Sequence, residues 1–129
     1  MLHTTAEKLK WYRLKNEYLQ SEIADMIGVY RSTYIHYEGP SRKFYELDKL
    51  QLLADLYQVD IECLLDDYML FLYRGQGKQL KALRNKLHIN QCMLANLIGV
   101  PLGTVKQWEQ DRNIMRYYNF VKIKRYFDI

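Results

Sequence analysis

Gln20-Ser-Glu-Ile-Ala24-Asp-Met-Ile-Gly28-Val29 returns as Gln91-Cys-Met-Leu-Ala95-Asn-Leu-Ile-Gly99-Val100, 71 residues further along the chain. The same offset links Leu9-Lys-Trp-Tyr-Arg13 to Leu80-Lys-Ala-Leu-Arg84. It also links Thr33-Tyr-Ile-His-Tyr-Glu38 to Thr104-Val-Lys-Gln-Trp-Glu109. Matches that keep one register without a gap identify two copies of a single unit.

Each copy reads as helices. Glu7–Glu17 carries apolar or aromatic residues at 9, 12 and 14, a helical stripe. Gln20–Ile27 presents Ile23, Ala24, Met26 and Ile27, and Gly28 is the glycine expected just past a helix end. Val29–Glu38 reads as a third short helix, stopped by Gly39-Pro40-Ser41. Leu47, Leu50, Leu53, Ala54 and Leu56 mark an amphipathic fourth. Asp60-Ile-Glu-Cys-Leu-Leu65 opens on a capping residue and reads as a fifth. No stretch alternates with period two, so the expected class is all-α.

The 129 residues are 49% hydrophobic and 26% charged, which excludes a disordered tail and leaves enough apolar material for a core. The longest apolar run, Tyr68–Tyr73, is far short of the ~20 residues a membrane span needs. No signal peptide is visible at the N-terminus. Cys63 and Cys92 do not make a disulfide framework. Both read as small apolar core fillers in a reducing cytoplasm. Charge is uneven. Residues 1–70 hold 8 Lys+Arg against 12 Asp+Glu, net −4, and residues 71–129 hold 11 against 3, net +8. A basic second half suits a polyanion, or is simply a solvated face.

The repeated unit resembles the lambda repressor/Cro-like (XRE-type) helix-turn-helix family, over roughly residues 6–66 and 78–127. The resemblance rests on Arg13, Gln20, Ala24, Gly28, Val29, Thr33, Tyr37 and Glu38 in the first copy. In the second it rests on Arg84, Gln91, Ala95, Gly99, Val100, Thr104, Trp108 and Glu109. It implies two tandem helix-turn-helix bundles. A first domain spans 1–65, an apolar and partly helical linker spans 66–77, and a second domain spans 78–129. Ala24 and Ala95 fall where two helices cross closely, and Gly28 and Gly99 fall in the turn. Ile23, Ile27, Val29 and Tyr37 are expected in the small core, with Tyr34 packed inward. The resemblance also implies ion pairs Arg13–Glu38 and Arg84–Glu109 that brace the third helix.

In such a unit the third helix enters the major groove. The resemblance then places Arg31, Ser32 and His36 at base edges with Ile35 beside them, Arg31 being able to give guanine two hydrogen bonds. Gln20 opens the second helix, where a phosphate can be held. Ser41, Arg42 and Lys43 follow the recognition helix and would track the backbone. In the second copy Gln91 and Thr104 keep their positions. Leu102 and Gly103 replace Arg31 and Ser32, and Leu102 can touch a thymine methyl. Lys106, Gln107 and Arg112 remain as contacts, and the alternative for this copy is a pairing surface. Residue 129 corresponds to 58, so nothing in the second copy matches the closing helix. The apolar residues Phe120, Ile123 and Phe127 are then left for the 66–73 segment to cover as a short helix. Gly75-Gln-Gly77 reads as a break before the second unit.

The function implied is a sequence-specific DNA-binding transcriptional regulator, by nature a repressor of bacterial or phage type. It would bind double-stranded DNA as a built-in pseudo-dimer or as a homodimer. The other reading is a protein-interaction module, such as an antitoxin or partner-binding regulator on the same fold. Enzyme chemistry has no support. His3, His36 and His88 form no ligand spacing with either cysteine, and no phosphate loop follows a strand. No catalytic residue, metal, cofactor, small-molecule ligand or membrane partner is expected.

Overall fold

A computed structural model describes residues 2–127, and every regular element among them is helical. The chain divides into two compact units after Leu70. The first contains α1 (Thr5–Lys15), α2 (Gln20–Ile27), α3 (Arg31–Tyr37), α4 (Leu47–Tyr57) and a 3-10 turn (Ile61–Leu64). A short helix, α5 (Asp67–Tyr73), spans the division. The second unit continues with α6 (Gln76–Leu87), α7 (Gln91–Ile98), α8 (Leu102–Glu109) and α9 (Tyr117–Phe127).

Local chemistry sets the helix ends. Thr4 accepts a hydrogen bond from the Glu7 N–H and opens α1. Asn90 does the same for α7 through the Met93 N–H at 2.8 Å. Gly28 (φ +73°) and Gly99 (φ +83°) close α2 and α7 in the left-handed conformation that costs glycine little. Asp60 caps the 3-10 turn by accepting from the Glu62 N–H at 2.8 Å.

The core of the first unit is Leu9, Ile23, Ala24, Ile27, Tyr34, Tyr37, Tyr45, Leu50 and Leu53; Val29 is only half-buried. α1 departs from the expected stripe. It runs Thr5–Lys15 and buries Thr5, Ala6, Leu9 and Arg13, whereas Leu14 is 55% exposed. Leu9 and the half-buried Tyr12 follow the stripe, and Leu14 does not, because the inward face also takes in the charged Arg13. Both cysteines are exposed, contrary to their reading as core fillers. The 3-10 turn directs Ile61 and Leu64 inward and leaves Cys63 outside, and α7 buries Leu94, Ala95 and Ile98 instead of Cys92.

The repeat register holds through the third helix and then changes. Leu50 and Leu53 of α4 are buried, and their buried counterparts on α9 are Phe120 and Ile123, an offset of 70. Tyr45 and Met115, both buried, obey the same offset. The second unit has one residue fewer between its third and fourth helices. Phe127 therefore corresponds to Tyr57, which corrects the ungapped alignment.

Gln76 and Gly77 do not interrupt the chain; they form the first turn of α6, after Gly75 at φ +94°. Gln76 is buried and donates to the carbonyls of Trp108 (3.2 Å) and Asn113 (2.5 Å). It also accepts from the Met115 N–H at 2.8 Å, and so fixes the whole segment between α8 and α9. Gly77 donates its N–H to Asp111, and a Cβ there would lie 2.6 Å from the Glu109 carbonyl oxygen. Within the second unit, the Phe71 ring lies 5.1 Å from Phe120 and 5.7 Å from Phe127.

Gly77→Ala is expected to destabilise the protein by about 1–3 kcal/mol, because backbone must move to admit the methyl. Gly103→Ala, which meets nothing within 4 Å inside α8, should be neutral or stabilising by up to about 1 kcal/mol. Urea melts of the two variants against the parent protein check the pair.

Candidate nucleic-acid interface

In each unit two short helices meet across a glycine turn, and the second of them is braced from behind. Arg13 donates to Glu38 through Nε at 2.6 Å and a terminal nitrogen at 2.9 Å, and its other terminal nitrogen donates to the Tyr18 carbonyl. The Arg13 and Glu38 side chains are 10% and 4% exposed. Arg84 and Glu109 repeat the two-pronged geometry at 2.6 and 2.8 Å. Such forked pairs fix orientation as well as charge. Burial opposes ionisation of Glu38, but the hydrogen bonds and charge of Arg13 outweigh it and hold the carboxyl below its ordinary range. The Tyr34 hydroxyl, buried in the same place, is pushed well above its usual value by burial and by the Glu38 charge.

Gln20 and Gln91 complete these clusters. Their amide nitrogens donate to Glu38 (3.3 Å) and Glu109 (3.1 Å). One N–H of each amide serves the glutamate, whose remaining lone pairs need a partner in a buried site, and the second N–H on the same nitrogen is the donor that the phosphate contact expected of Gln20 and Gln91 would use. Each cluster therefore ties together the first three helices of its unit.

The bracing leaves one face of each third helix outward. On α3, Arg31, Ser32, Ile35 and His36 are exposed while Tyr34 and Tyr37 are buried. The equivalent outward residues of α8 are Leu102, Gly103, Lys106 and Gln107, with Val105, Trp108 and Glu109 buried and Thr104 half-buried. Residues at i, i+1, i+4 and i+5 share one side of a helix. Arg31, Lys106 and Arg112 are exposed and make no ion pair among the described residues. Gln107 accepts a hydrogen bond from Asn113.

The segment after α3 differs from expectation. Ser41 and Lys43 are exposed, but Arg42 is a structural residue. It donates to the Phe44 carbonyl at 2.8 Å and to Glu46 at 3.2 Å, and its guanidinium lies 4.6 Å from the Tyr37 ring centre. Tyr37 donates to Glu46 at 2.6 Å, and Tyr45 donates to the Tyr37 carbonyl at 2.7 Å. Burial opposes ionisation of Glu46 too, yet the Tyr37 hydrogen bond and nearby positive charge hold its carboxyl below the usual range. No spacing rule singles out this tyrosine cluster. Only the density of Tyr37, Tyr45 and Arg42 around a Gly-Pro-Ser stop hints at it.

The two starts of the second helices are unlike. Leu19 cannot cap α2, and Glu22 reaches back to accept from its N–H at 2.8 Å, leaving a carboxylate at the helix mouth. α7 has the neutral cap Asn90 and no acid in its first turn. An anion is better received at the second mouth than at the first.

No protein-family model matches this chain, and no curated protein or solved structure matches it. Among the described residues no group of His, Cys, Asp and Glu could hold a metal ion, and no helix is long and apolar enough to cross a membrane.

Glu38→Gln would leave the Arg13 charge buried without its counter-ion, at an expected cost of about 3–5 kcal/mol. Because the folded carboxyl titrates below its unfolded value, its contribution is complete above the ordinary carboxylate pKa. It is lost as pH falls through the depressed one. Thermal melts of parent and variant should accordingly differ most at neutral pH and converge on acidification.

Proposed function

We propose that this chain is a sequence-specific DNA-binding transcriptional regulator, a repressor in the manner of the lambda repressor-like helix-turn-helix proteins that its repeat resembles. The observation that carries the reading is the pair of matched outward faces. They consist of Arg31, Ser32, Ile35 and His36 on α3 and Leu102, Gly103, Lys106 and Gln107 on α8, each braced from behind by a buried Arg–Glu–Gln cluster. A short helix fixed in orientation, with its side chains free on one side, is what major-groove readout requires. Arg31 reads guanine, Ser32 and His36 take neighbouring edges, and Ile35 and Leu102 meet thymine methyls. Lys106 and Arg112 add charge in the second unit, whose helix mouth at Asn90–Gln91 receives a phosphate. The two units read unlike half-sites, since their outward residues differ at every position. The proposed partner is double-stranded DNA, and the proposed site of action is the cytoplasm.

A partner-binding role on the same fold is the second reading. Met93 (50% exposed) and Leu97 (42% exposed) favour it, forming an apolar strip on the outward side of α7 where α2 carries Glu22 and Met26.

Selection from random duplexes at two salt concentrations tests the proposal. An enriched two-part motif is expected, with one part lost in Arg31→Ala and the other in Lys106→Ala, each at a cost of about 1–3 kcal/mol. Binding that fades with salt and enriches no sequence would overturn it and favour the partner-binding role.

A further inference from the structure

The outer sides of α4 and α9 are equivalent positions of the repeat, and they carry opposite charge. On α4 the exposed residues Asp48, Gln51, Leu52 and Asp55 follow the spacing i, i+3, i+4 and i+7, and so form one stripe opposite the buried Leu50, Leu53 and Ala54. The 70-residue offset carries the same four positions onto Tyr118, Val121, Lys122 and Arg125 of α9. All four are exposed, with Phe120 and Ile123 buried behind them. Each stripe also shows apolar surface to water, for Leu52 is 45% exposed, Val121 50% and Tyr118 60%.

The charges on these stripes have no counter-ion. Among the described residues Asp48, Asp55, Lys122 and Arg125 make no ion pair. Asp55 accepts from the neutral Gln51 amide at 2.9 Å, and Arg125 donates to the Tyr126 hydroxyl at 3.1 Å. Lys49 is the one base of α4, and it donates to the Ile27 carbonyl at 3.0 Å. α9 contains no acid at all. The same asymmetry runs through the two halves of the chain, net −4 over residues 1–70 and net +8 over residues 71–129.

We infer that α4 of one chain docks on α9 of a second copy of this chain, head to tail. Like faces repel, because two α4 stripes oppose acids and two α9 stripes oppose bases; only the unlike pairing matches charge. Each chain offers both faces, so the contact is heterologous. The helices pack antiparallel. That direction sets Asp48, in the first turn of α4, against Arg125, in the last turn of α9, and aligns the helix dipoles favourably. It also puts Leu52 against Val121, and Asp55 against the Tyr118 hydroxyl with Lys122 one turn away. The contact does not rest on the DNA reading, since neither helix supplies a residue to the faces assigned to DNA.

Sedimentation equilibrium of the full chain tests the contact. One helix pair is a small interface, so association is expected at about 10–100 µM, weakening several-fold as salt is raised. Asp48→Lys with Asp55→Lys should weaken it by about tenfold or more, and so should Lys122→Glu with Arg125→Glu. An equimolar mixture of these two variants should associate again, because each then meets a face of opposite charge. Asp48→Asn with Asp55→Asn, which keeps the shape, should weaken association and flatten its salt dependence. A parent chain that stays monomeric to about 300 µM would overturn the inference. So would association that survives either charge reversal, or a mixture that does not recover. A monomeric parent whose salt-sensitive duplex binding is lost in Lys122→Glu with Arg125→Glu would assign the basic face to phosphates instead. Failure of duplex selection with self-association intact would count against the DNA reading alone.

Discussion

A buried arginine–glutamate fork, made once in each unit, is the interaction on which the rest of the molecule depends. Arg13 belongs to α1, Glu38 ends α3 and Gln20 begins α2, so three helices converge on one carboxylate. Seven- and eight-residue helices such as α3 and α2 are too short to hold together alone. Apolar contact gives them cohesion but tolerates rotation about their axes. The forked geometry does not, because a guanidinium satisfies both carboxylate oxygens in one plane only. The orientation of the third helix is therefore set electrostatically, and its outward residues inherit that orientation.

Beyond the fork the two units solve the same problem differently. The first closes the segment after α3 with an aromatic cluster in which Tyr37, Tyr45, Arg42 and Glu46 satisfy one another. The second has one residue fewer there and draws the segment in from below through Gln76 and Gly77. The first solution is self-contained and neutral at its corner. The second is tied by hydrogen bonds between side chains and backbone, with Arg116 exposed and Asn119 buried.

Much of the helical outline is legible in the sequence because the signals are local. Gly28, Gly99, Asn90 and Asp60 act within a turn of where they stand, and the period of Leu50 and Leu53 reports the buried side of α4 directly. What is not legible is decided by distant partners. Leu14 falls outside although it belongs to the apolar stripe of α1, because the inward side of that helix is shared with Arg13. Gln20 gives one amide N–H to the Glu38 carboxylate, a partner 18 residues away. Arg42 looks like a surface cation until Tyr37 and Glu46 are placed around it. Gly77 looks like a chain break, but it is small because the Glu109 carbonyl passes within contact of it. The outward residues of α3 and α8 follow from the repeat, since a shared register puts equivalent residues on equivalent sides.

The helix across the division of the two units gives the chain an unexpected seam. By composition the natural place to cut is the glycine pair at 75 and 77. Phe71, four residues ahead of Gly75, is the ring that lies against Phe120 and Phe127 of α9. A protease acting after Arg74 would therefore release a second unit stripped of its aromatic cover, with a sticky surface in place of a finished core. Separating the halves intact means cutting before Phe71, within α5. The point where composition invites a cut is therefore not the point at which the second unit begins.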